Sequence, residues 1–267
     1  MVVVVRLDAT VTQAASDEDG AEPSYKGYGF HPLTAWCTNV GGSLAAMSRP
    51  GSAGSFTAAD HIAVLDAAVA QLPPAWRGDL LVTVDGAGAS HNLVDHLTGL
   101  NTAATHGRRG RRVGCSAGWP VDARAKAAID TLRENGWSTA LRADGKADET
   151  ARVVELTGLL RHCAGGDQLA GSPADLPVTA RRSPREPGEQ AELSQDARWR
   201  YGAFAAATPA GRVQRLDARH RTQAHVEDKT KQTKACGAAR LPSKDHRRNS
   251  AWLQLATLAV TLLAWHD

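Results

Sequence analysis

Two aspartates each end a run of strand-forming apolar residues, and a pair of this kind could hold a divalent cation. Asp8 closes the run VVVVRL, and Asp85 closes LLVTV just before the small residues GAGA. If the two strands are neighbours in one sheet, their carboxylates can converge at one edge. Two acids that lie close together repel each other and need a cation or a shared proton between them. Taken singly, each aspartate is more simply a residue that begins a turn or loop.

A third acid, Glu227, lies in the long polar helix predicted for RVQRLDARHRTQAHVEDKTKQTK. A period of 3.6 residues places Glu227 on one face with Gln223, Lys231 and Lys234. Magnesium takes oxygen ligands from one or two carboxylates, from substrate phosphates and from water. A carboxylate that supports a metal, beside amines that contact phosphate, is therefore suited to phosphoryl transfer on DNA. Considered alone, the same segment is more simply an ordinary exposed Glu–Lys helix.

The elements predicted from the apolar patterns would bring the two strand ends together. Apolar residues at helical spacing predict a helix over residues 57–72, with Thr57 as its N-cap. The order along the chain is three antiparallel-type strands, with a hairpin at residues 39–42, then helix, strand, helix, strand and helix. This order predicts an α/β fold, a ribonuclease H-like mixed sheet flanked by helices.

The second half of the chain departs from this pattern. Residues 1–135 are predicted to form the first part of the ribonuclease H-like core, and residues 136–212 a β-rich insertion. Residues 213–267 would complete the core with the helix of Glu227 and a C-terminal apolar helix. The apolar stretch AWLQLATLAVTLLAW is too short for a bilayer span and is predicted to be a buried core helix, with Asn249 as its N-cap.

Positive charge is concentrated in one segment of an otherwise ordinary globular composition. The chain of 267 residues is 42% apolar and 22% charged, with a net charge of +3. Residues 211–250 contain eleven Lys or Arg and four acids, a net charge of +7, so the rest of the chain is mildly acidic. A basic segment on an acidic body suggests a polyanionic partner. A solvated basic helix face would give the same pattern.

The cysteines indicate a reducing compartment, and the start of the chain does not resemble a signal peptide. The four cysteines include no C-x-x-C pair, which excludes the usual spacing of a zinc site and favours reduced, structural thiols. The run MVVVV lacks the cationic region and the cleavage site of a signal peptide. These features predict a cytoplasmic protein with no membrane association.

Six segments together resemble insertion-sequence transposases with a DDE catalytic triad, in the branch that carries a β-strand insertion between the second Asp and the Glu. The segments are RLDATV, YKGYGFHPL, LLVTVDGAGASH, GWPVDARAKAAI, RHRTQAHVEDKTKQTK and RRNSAWLQLATLA. The resemblance implies that Asp8, Asp85 and Glu227 are catalytic and bind two Mg²⁺ ions, which Mn²⁺ should replace. It further implies cleavage at transposon ends, transfer of the 3′-OH to target DNA, self-association on DNA and a location at the nucleoid.

Related transposases carry a Tyr-x-x-Arg-x-x-x-Glu-x-x-x-x-x-x-Lys signature around the glutamate. Here Glu227 and Lys234 match, whereas His220 replaces the Tyr and Gln223 replaces the Arg. The neighbouring Arg219 and Arg221 could supply the missing charge. A second cationic group, at a predicted turn, is read either as a DNA-backbone contact or as a solvated loop. The residues expected to contact DNA are His220, Gln223, Lys231, Lys234, Arg219, Arg221, Arg108, Arg109, Arg111 and Arg112.

Several alternatives remain open at the level of sequence. The chain begins almost at the first catalytic strand, and Gly114 weakens a predicted strand, so we expect a truncated copy that binds DNA weakly. Trp199 and Tyr201 could stack on an unpaired base, although packing of the inserted strands explains them more simply. The alternatives to a transposase are a non-transposing ribonuclease H-like nuclease and an inactive DNA-binding remnant.

Overall fold

The computed structural model describes residues 1–54, 57–85, 90–105, 110–163, 166–173, 176–185, 198–207 and 211–266. The strands are β1 (Val3–Ala9), β2 (Thr12–Gln13), β3 (Glu22–Ser24), β4 (Gly27–Phe30), β5 (Leu33–Cys37), β6 (Gly42–Met47), β7 (Asp79–Val84), β8 (Arg112–Trp119), β9 (Ser138–Leu141), β10 (Ala147–Glu155), β11 (Val178–Pro184) and β12 (Trp199–Ala205). The helices are α1 (Ala58–Gln71), α2 (His91–Gly99), α3 (Ala123–Asp130), α4 (Thr157–Arg161), α5 (Val213–Arg221), α6 (His225–Thr233) and α7 (His246–His266).

The chain forms two compact units, residues 1–114 with 223–267 and residues 115–222. These limits differ from the predicted domain boundaries, which lay after residues 135 and 212. β8 contributes to the second unit because it pairs there with β12, from Ala117 opposite Ala205 onward. α5 belongs to the second unit because it packs on β9, β10 and β11. Both assignments depend on contacts between segments that are far apart in sequence.

The first unit is built on a mixed sheet in the order β6-β5-β1-β7. β1 runs antiparallel to β5 and parallel to β7. Its alternate valines and Leu7 are fully buried, as expected for a β-branched run in the middle of a sheet. A second, three-stranded sheet has the order β2-β4-β3, and its strands lie between β1 and β5 along the chain. The mixed α/β architecture predicted from the sequence is confirmed.

The second unit is a mainly antiparallel sheet in the order β8-β12-β11-β10-β9, with α5 against the last strands. β9, β10, β11 and β12 all lie within residues 136–212, the segment that was predicted to be β-rich. The first half of β10 is polar and mostly exposed, so its apolar pattern is weak. Asp217 of α5 is buried, and its carboxylate accepts from Arg181 of β11 at 2.7 Å. Arg181 also pairs with Asp148 of β10 at 2.8 Å.

The long polar helix predicted across Glu227 is interrupted. α5 ends at Arg221, a single 3₁₀ turn covers residues 222–224, and α6 begins at His225. α6 then runs into a π-helical turn, Lys234–Ala238, that ends its straight course. Gly237 in this turn has φ +114, and a Cβ there would lie 2.9 Å from the Trp252 ring. The turn therefore requires glycine for both its backbone conformation and its close contact with α7.

Two predictions about α7 were wrong in part. The helix begins at His246, so Asn249 is not its N-cap; it is 1% exposed and its amide donates to the carbonyl of Ser243 at 2.7 Å. One face of α7 is buried, and Thr261 accepts from the backbone N–H of Ser43 at 2.9 Å. The opposite face is apolar but exposed, so α7 is not the fully buried helix that was predicted. The exposed residues are Leu255, Leu258, Leu262, Leu263 and Trp265.

Of the helices that the structure describes, none is both long enough and apolar enough to cross a bilayer.

Burial raises the pKa of Asp217, but we expect loss of its carboxylate to destabilise the second unit, because Arg181 would keep its charge in a largely buried site with one partner fewer. Replacing it, Asp217→Asn, removes the charge that faces Arg181 and should lower the free energy of unfolding by about 2 kcal/mol. The matched change Asp144→Asn alters an exposed aspartate that lies 3.9 Å from Lys146, and should have an effect within about 0.5 kcal/mol. Urea-induced unfolding measures both variants. Equal destabilisation by the two changes would contradict the expected role of the buried pair.

Candidate functional site

The structure brings Asp8 and Asp85 together at the carboxyl ends of two parallel strands. β1 and β7 pair with Leu7 opposite Val84, so the two aspartates are the next residues on neighbouring strands. Paired strands lie about 4.8 Å apart, and residues at the same level project to the same side of the sheet. Asp8 is 9% exposed, whereas Asp85 is more open. Both carboxylates therefore belong to one edge of the sheet of the first unit.

α6 brings a third acid to this edge. The hydroxyl of Thr230 donates to Oδ2 of Asp8 at 2.5 Å, which fixes one face of α6 against the end of β1. Glu227 precedes Thr230 by three residues, so it lies on the same face, and its side chain is exposed. On another side of the helix, Val226 packs with Trp36 and Val260 in a buried cluster. The apolar contact through Val226 anchors α6, and the polar face with Glu227 and Thr230 is turned toward Asp8.

Gln223 ties the start of this segment to both aspartate strands. Its amide N–H donates to the carbonyl of Leu7 at 3.1 Å, immediately before Asp8. Its amide oxygen accepts from the hydroxyl of Thr83 in β7 and from the guanidinium of Arg6 at 3.3 Å. Gln223 is 7% exposed. The structure thus places it inside the first unit as a positioning residue, whereas a DNA contact requires an exposed side chain.

Burial and neighbouring charge disfavour the ionised form of Asp8. Its pKa is raised to about 6, first by burial, and then by the negative charges of Asp85 and Glu227. The hydrogen bond from Thr230 and the charge of Lys234 act in the opposite direction. Lys234 is half-buried, and burial lowers its pKa, while Asp8 raises it. Asp8 therefore experiences the charges of both other acids and of one predicted DNA-binding lysine.

The donor set at this edge suits a hard divalent cation. Every candidate ligand is a carboxylate, and oxygen donors are those that Mg²⁺ and Mn²⁺ prefer. A cation would also relieve the repulsion that raises the pKa of Asp8. Within the described residues, no three His, Cys, Asp or Glu side chains are already grouped as a metal cage. Mg²⁺ commonly takes only one or two carboxylates with substrate oxygens, so the aspartate pair is sufficient as a starting site.

The other residues around Glu227 lie in different surroundings. Lys231 is exposed and pairs with Asp228 at 3.5 Å. In the second unit, the ring of His220 stacks on Phe204 at 4.5 Å, and its Nδ1 lies 2.9 Å from the hydroxyl of Ser116. These contacts give His220 a packing role.

The two arginines beside His220 also belong to the second unit. Arg221 donates to the carbonyl of Leu141 at 2.7 Å and lies 3.5 Å from Asp217. Arg219 is partly buried, and burial lowers its pKa. Arg221 is therefore engaged within the fold, whereas Arg219 lies beside a cavity described below.

The predicted cationic turn is described only in part. Arg108 and Arg109 lie outside the described residues. Arg112 pairs with Asp79 at 2.7 Å, and this bond raises the pKa of the guanidinium. Arg111 donates to the carbonyl of Arg77 at 3.2 Å. The two described arginines thus have partners within the first unit.

The aromatic residues of the insertion pack within the second unit. The guanidinium of Arg182 lies 4.5 Å from the ring of Trp137 and 4.7 Å from that of Trp199. Tyr201 contacts Trp137 with ring centroids 6.3 Å apart. This arrangement favours the packing interpretation of Trp199 and Tyr201 over base stacking.

Sequence reasoning missed two residues near the acids. Thr230 contacts Asp8 directly, and its position three residues after Glu227 was an available signal once that face was assigned to the site. His61 of α1 is buried, and its Nδ1 lies 3.0 Å from the carbonyl oxygen of Thr57. Burial lowers the pKa of His61, and the charge of Asp85 acts in the opposite direction. No local pattern in the sequence marks His61.

The chain superposes on the cryo-EM structure of a piggyBac transposase synaptic complex with hairpin DNA, with a TM-score of 0.50 and 8% sequence identity. The mixed α/β fold of this chain is similar to the fold of that protein. The alignment covers 98% of this chain and 46% of that chain, so this chain spans less than half of the length of that transposase. No family model and no curated protein matches the sequence. The predicted fold class is confirmed, and the likeness concerns the fold alone.

We expect Gln223 to be the main polar contact that positions α6. In Gln223→Met, the carbonyl of Leu7 and the hydroxyl of Thr83 lose their partner in a buried site. The free energy of unfolding should fall by about 2–4 kcal/mol. Gln232→Met changes an exposed glutamine of α6 and should alter this free energy by less than about 0.5 kcal/mol. Chemical unfolding of the two variants measures these changes. If both variants lose equally little stability, Gln223 does not position α6.

The raised pKa of Asp8 predicts a specific pH dependence of stability. Folding raises this pKa from 3.8 to about 6, so the folded state binds the proton more tightly than the unfolded state. The contribution is fully present below pH 4 and is lost as the pH rises through 6, by up to about 3 kcal/mol. In a chelator, Asp8→Asn should therefore become increasingly more stable than wild type between pH 4 and 7. Asp228→Asn, at an exposed position, should keep the wild-type profile. Parallel profiles for wild type and Asp8→Asn would contradict the assignment.

Proposed function

We propose that this chain is the catalytic core of a DDE-type DNA transposase. It would cleave DNA at the ends of a mobile element and join the released 3′-OH to target DNA. The observation that carries the proposal is the register of β1 and β7, which sets Asp8 beside Asp85 while α6 presents Glu227 to the same edge. Its likeness to the fold of a transposase supports this assignment.

Asp8, Asp85 and Glu227 would hold the divalent cations, Mg²⁺ or Mn²⁺, with substrate phosphate oxygens completing the coordination. Bound cations of this kind supply Lewis acidity and lower the pKa of water at the phosphodiester. The residues of the chain prepare the site for them. The hydroxyl of Thr230 donates to Oδ2 of Asp8 and so helps to fix the orientation of this carboxylate. With a pKa of about 6, Asp8 is mostly ionised above neutral pH and is ready to bind a cation.

The DNA backbone would approach along the face of α6. Lys234 shares the electrostatic environment of Asp8, and Lys26 lies close enough to lower the pKa of Lys234 further. Lys231 is exposed one turn from Glu227. Amines at these positions neutralise phosphates without reading sequence. Recognition of element ends and self-association on DNA are further parts of the proposal.

Two reactions test the proposal with defined substrates. The chain is incubated with supercoiled plasmid to measure nicking, and with a labelled duplex that carries a recessed 3′-OH to measure joining to the plasmid. Both should require Mg²⁺ or Mn²⁺. Asp85→Asn and Glu227→Gln should lower each rate by about 100-fold or more, since each removes several kcal/mol of charge stabilisation. Asp228→Asn changes a neighbouring exposed acid on α6 and should retain the wild-type rates.

The outcomes separate the three candidate functions. Nicking that depends on the three acids, without joining, would identify a ribonuclease H-like nuclease and refute the transposase. DNA binding without either reaction, and unchanged in Asp85→Asn, would identify an inactive remnant. Joining that is lost in Asp85→Asn and kept in Asp228→Asn supports the transposase.

A further inference from the structure

A concave surface of the second unit is lined by three arginines of one helix face. Arg212, Arg215 and Arg219 follow at spacings of three and four residues, which places them on the same side of α5. With Gly211 and Leu216 they line a cavity of about 550 Å³. Among the residues that the structure describes, no acidic side chain lines this cavity. Three like charges are therefore gathered around one open space.

The other arginines that reach α5 have carboxylate partners, and this contrast identifies the face. Arg181 and Arg221 both lie against the buried Asp217. In the described part of the chain, neither Arg212 nor Arg215 makes a side-chain hydrogen bond or an ion pair, and both are exposed. One side of α5 is thus neutralised within the fold, and the other presents net positive charge.

Two further features favour an anion at this surface. Arg212 stands at the N-cap of α5, and no side chain caps the first turn, so the positive end of the helix dipole adds to the charge of the arginines. Arg219 is partly buried, and burial lowers its pKa. An anion in the cavity would offset that cost of burying charge. Arginine is the cation best suited to bidentate contact with phosphate.

We propose that the arginine face of α5 (Arg212, Arg215 and Arg219) binds the phosphates of a nucleic-acid backbone. From Arg212 to Arg219 the face spans seven helical steps, about 10 Å along the helix. This length exceeds one phosphate group and suits a polymer of phosphates. The proposal rests on the proposed function, because it adds a DNA contact to the same protein. It assigns that contact to residues that have no part in the acidic site. Binding there fixes position and carries no sequence preference.

The test measures DNA affinity with the full chain in a chelator, where no catalysis occurs. Fluorescence anisotropy with a labelled duplex of arbitrary sequence gives the association constant between 50 and 200 mM KCl. Arg212→Gln with Arg215→Gln should lower the slope of log K against log salt by about 1.8. The matched pair Arg124→Gln with Arg133→Gln removes two exposed arginines from the same unit and should leave the slope unchanged. Arg212→Lys with Arg215→Lys keeps the charge and should retain most of the slope.

Several results would overturn this inference. An equal fall in slope for both glutamine pairs would show a general effect of net charge. Full competition by inorganic phosphate at the ionic strength of a chloride control would show a site for a small anion instead. Unfolding midpoints of all variants confirm that binding is compared between folded proteins. The two proposals can fail separately. If the double variant Arg212→Gln with Arg215→Gln binds DNA normally and the chain still nicks and joins DNA, only the arginine-face proposal is refuted. Arginine-dependent binding without either reaction removes only the transposase.

Discussion

The first unit depends on one buried amide. Gln223 donates to the backbone of β1 beside Asp8 and accepts from β7 two residues before Asp85. A single side chain therefore sets the segment that carries Glu227 against both aspartate strands. Because an unsatisfied buried polar group costs about 1–3 kcal/mol, any displacement of this segment breaks several bonds at once. The relative position of the three acids is fixed by the polar interior as much as by the acids themselves.

The acidic edge is destabilising in itself, and its surroundings compensate for it. Burial and two neighbouring negative charges raise the pKa of Asp8, which is the opposite of what a stabilising carboxylate shows. The hydrogen bond from Thr230 offsets part of this cost, and the cluster of Trp36, Val226 and Val260 holds α6 in place. A raised pKa in a group of acids is typical of functional sites, where a cation or substrate completes the electrostatics. The strain is local, and the apolar packing supports it.

The two sides of α5 differ in how their charges are paired. Its buried side carries Asp217, whose carboxylate joins Arg181 and Arg221 and fixes the helix to the sheet of the second unit. Its open side carries Arg212 and Arg215, which are exposed and have no such partner in the described structure. The basic segment, residues 211–250, therefore contains some cations that are paired within the fold and others that are exposed to solvent. Net charge alone does not distinguish them, because pairing depends on where β10 and β11 pass.

The sequence by itself determined β1, which carries Asp8, and β7, which Asp85 follows. β-Branched runs followed by small or polar residues favour a buried strand over other secondary structure. The sequence also determined α1 and the mixed α/β class. The tertiary structure decided the burial of Gln223, the contact between Thr230 and Asp8, the exposed apolar side of α7 and the limits of the two units. The first two rest on contacts between residues 216 and 222 positions apart. The unit limits rest on pairings such as Ala117 with Ala205, and the side of α7 rests on which face the helix turns inward. Local periodicity specifies that a face exists, and only packing selects its partner.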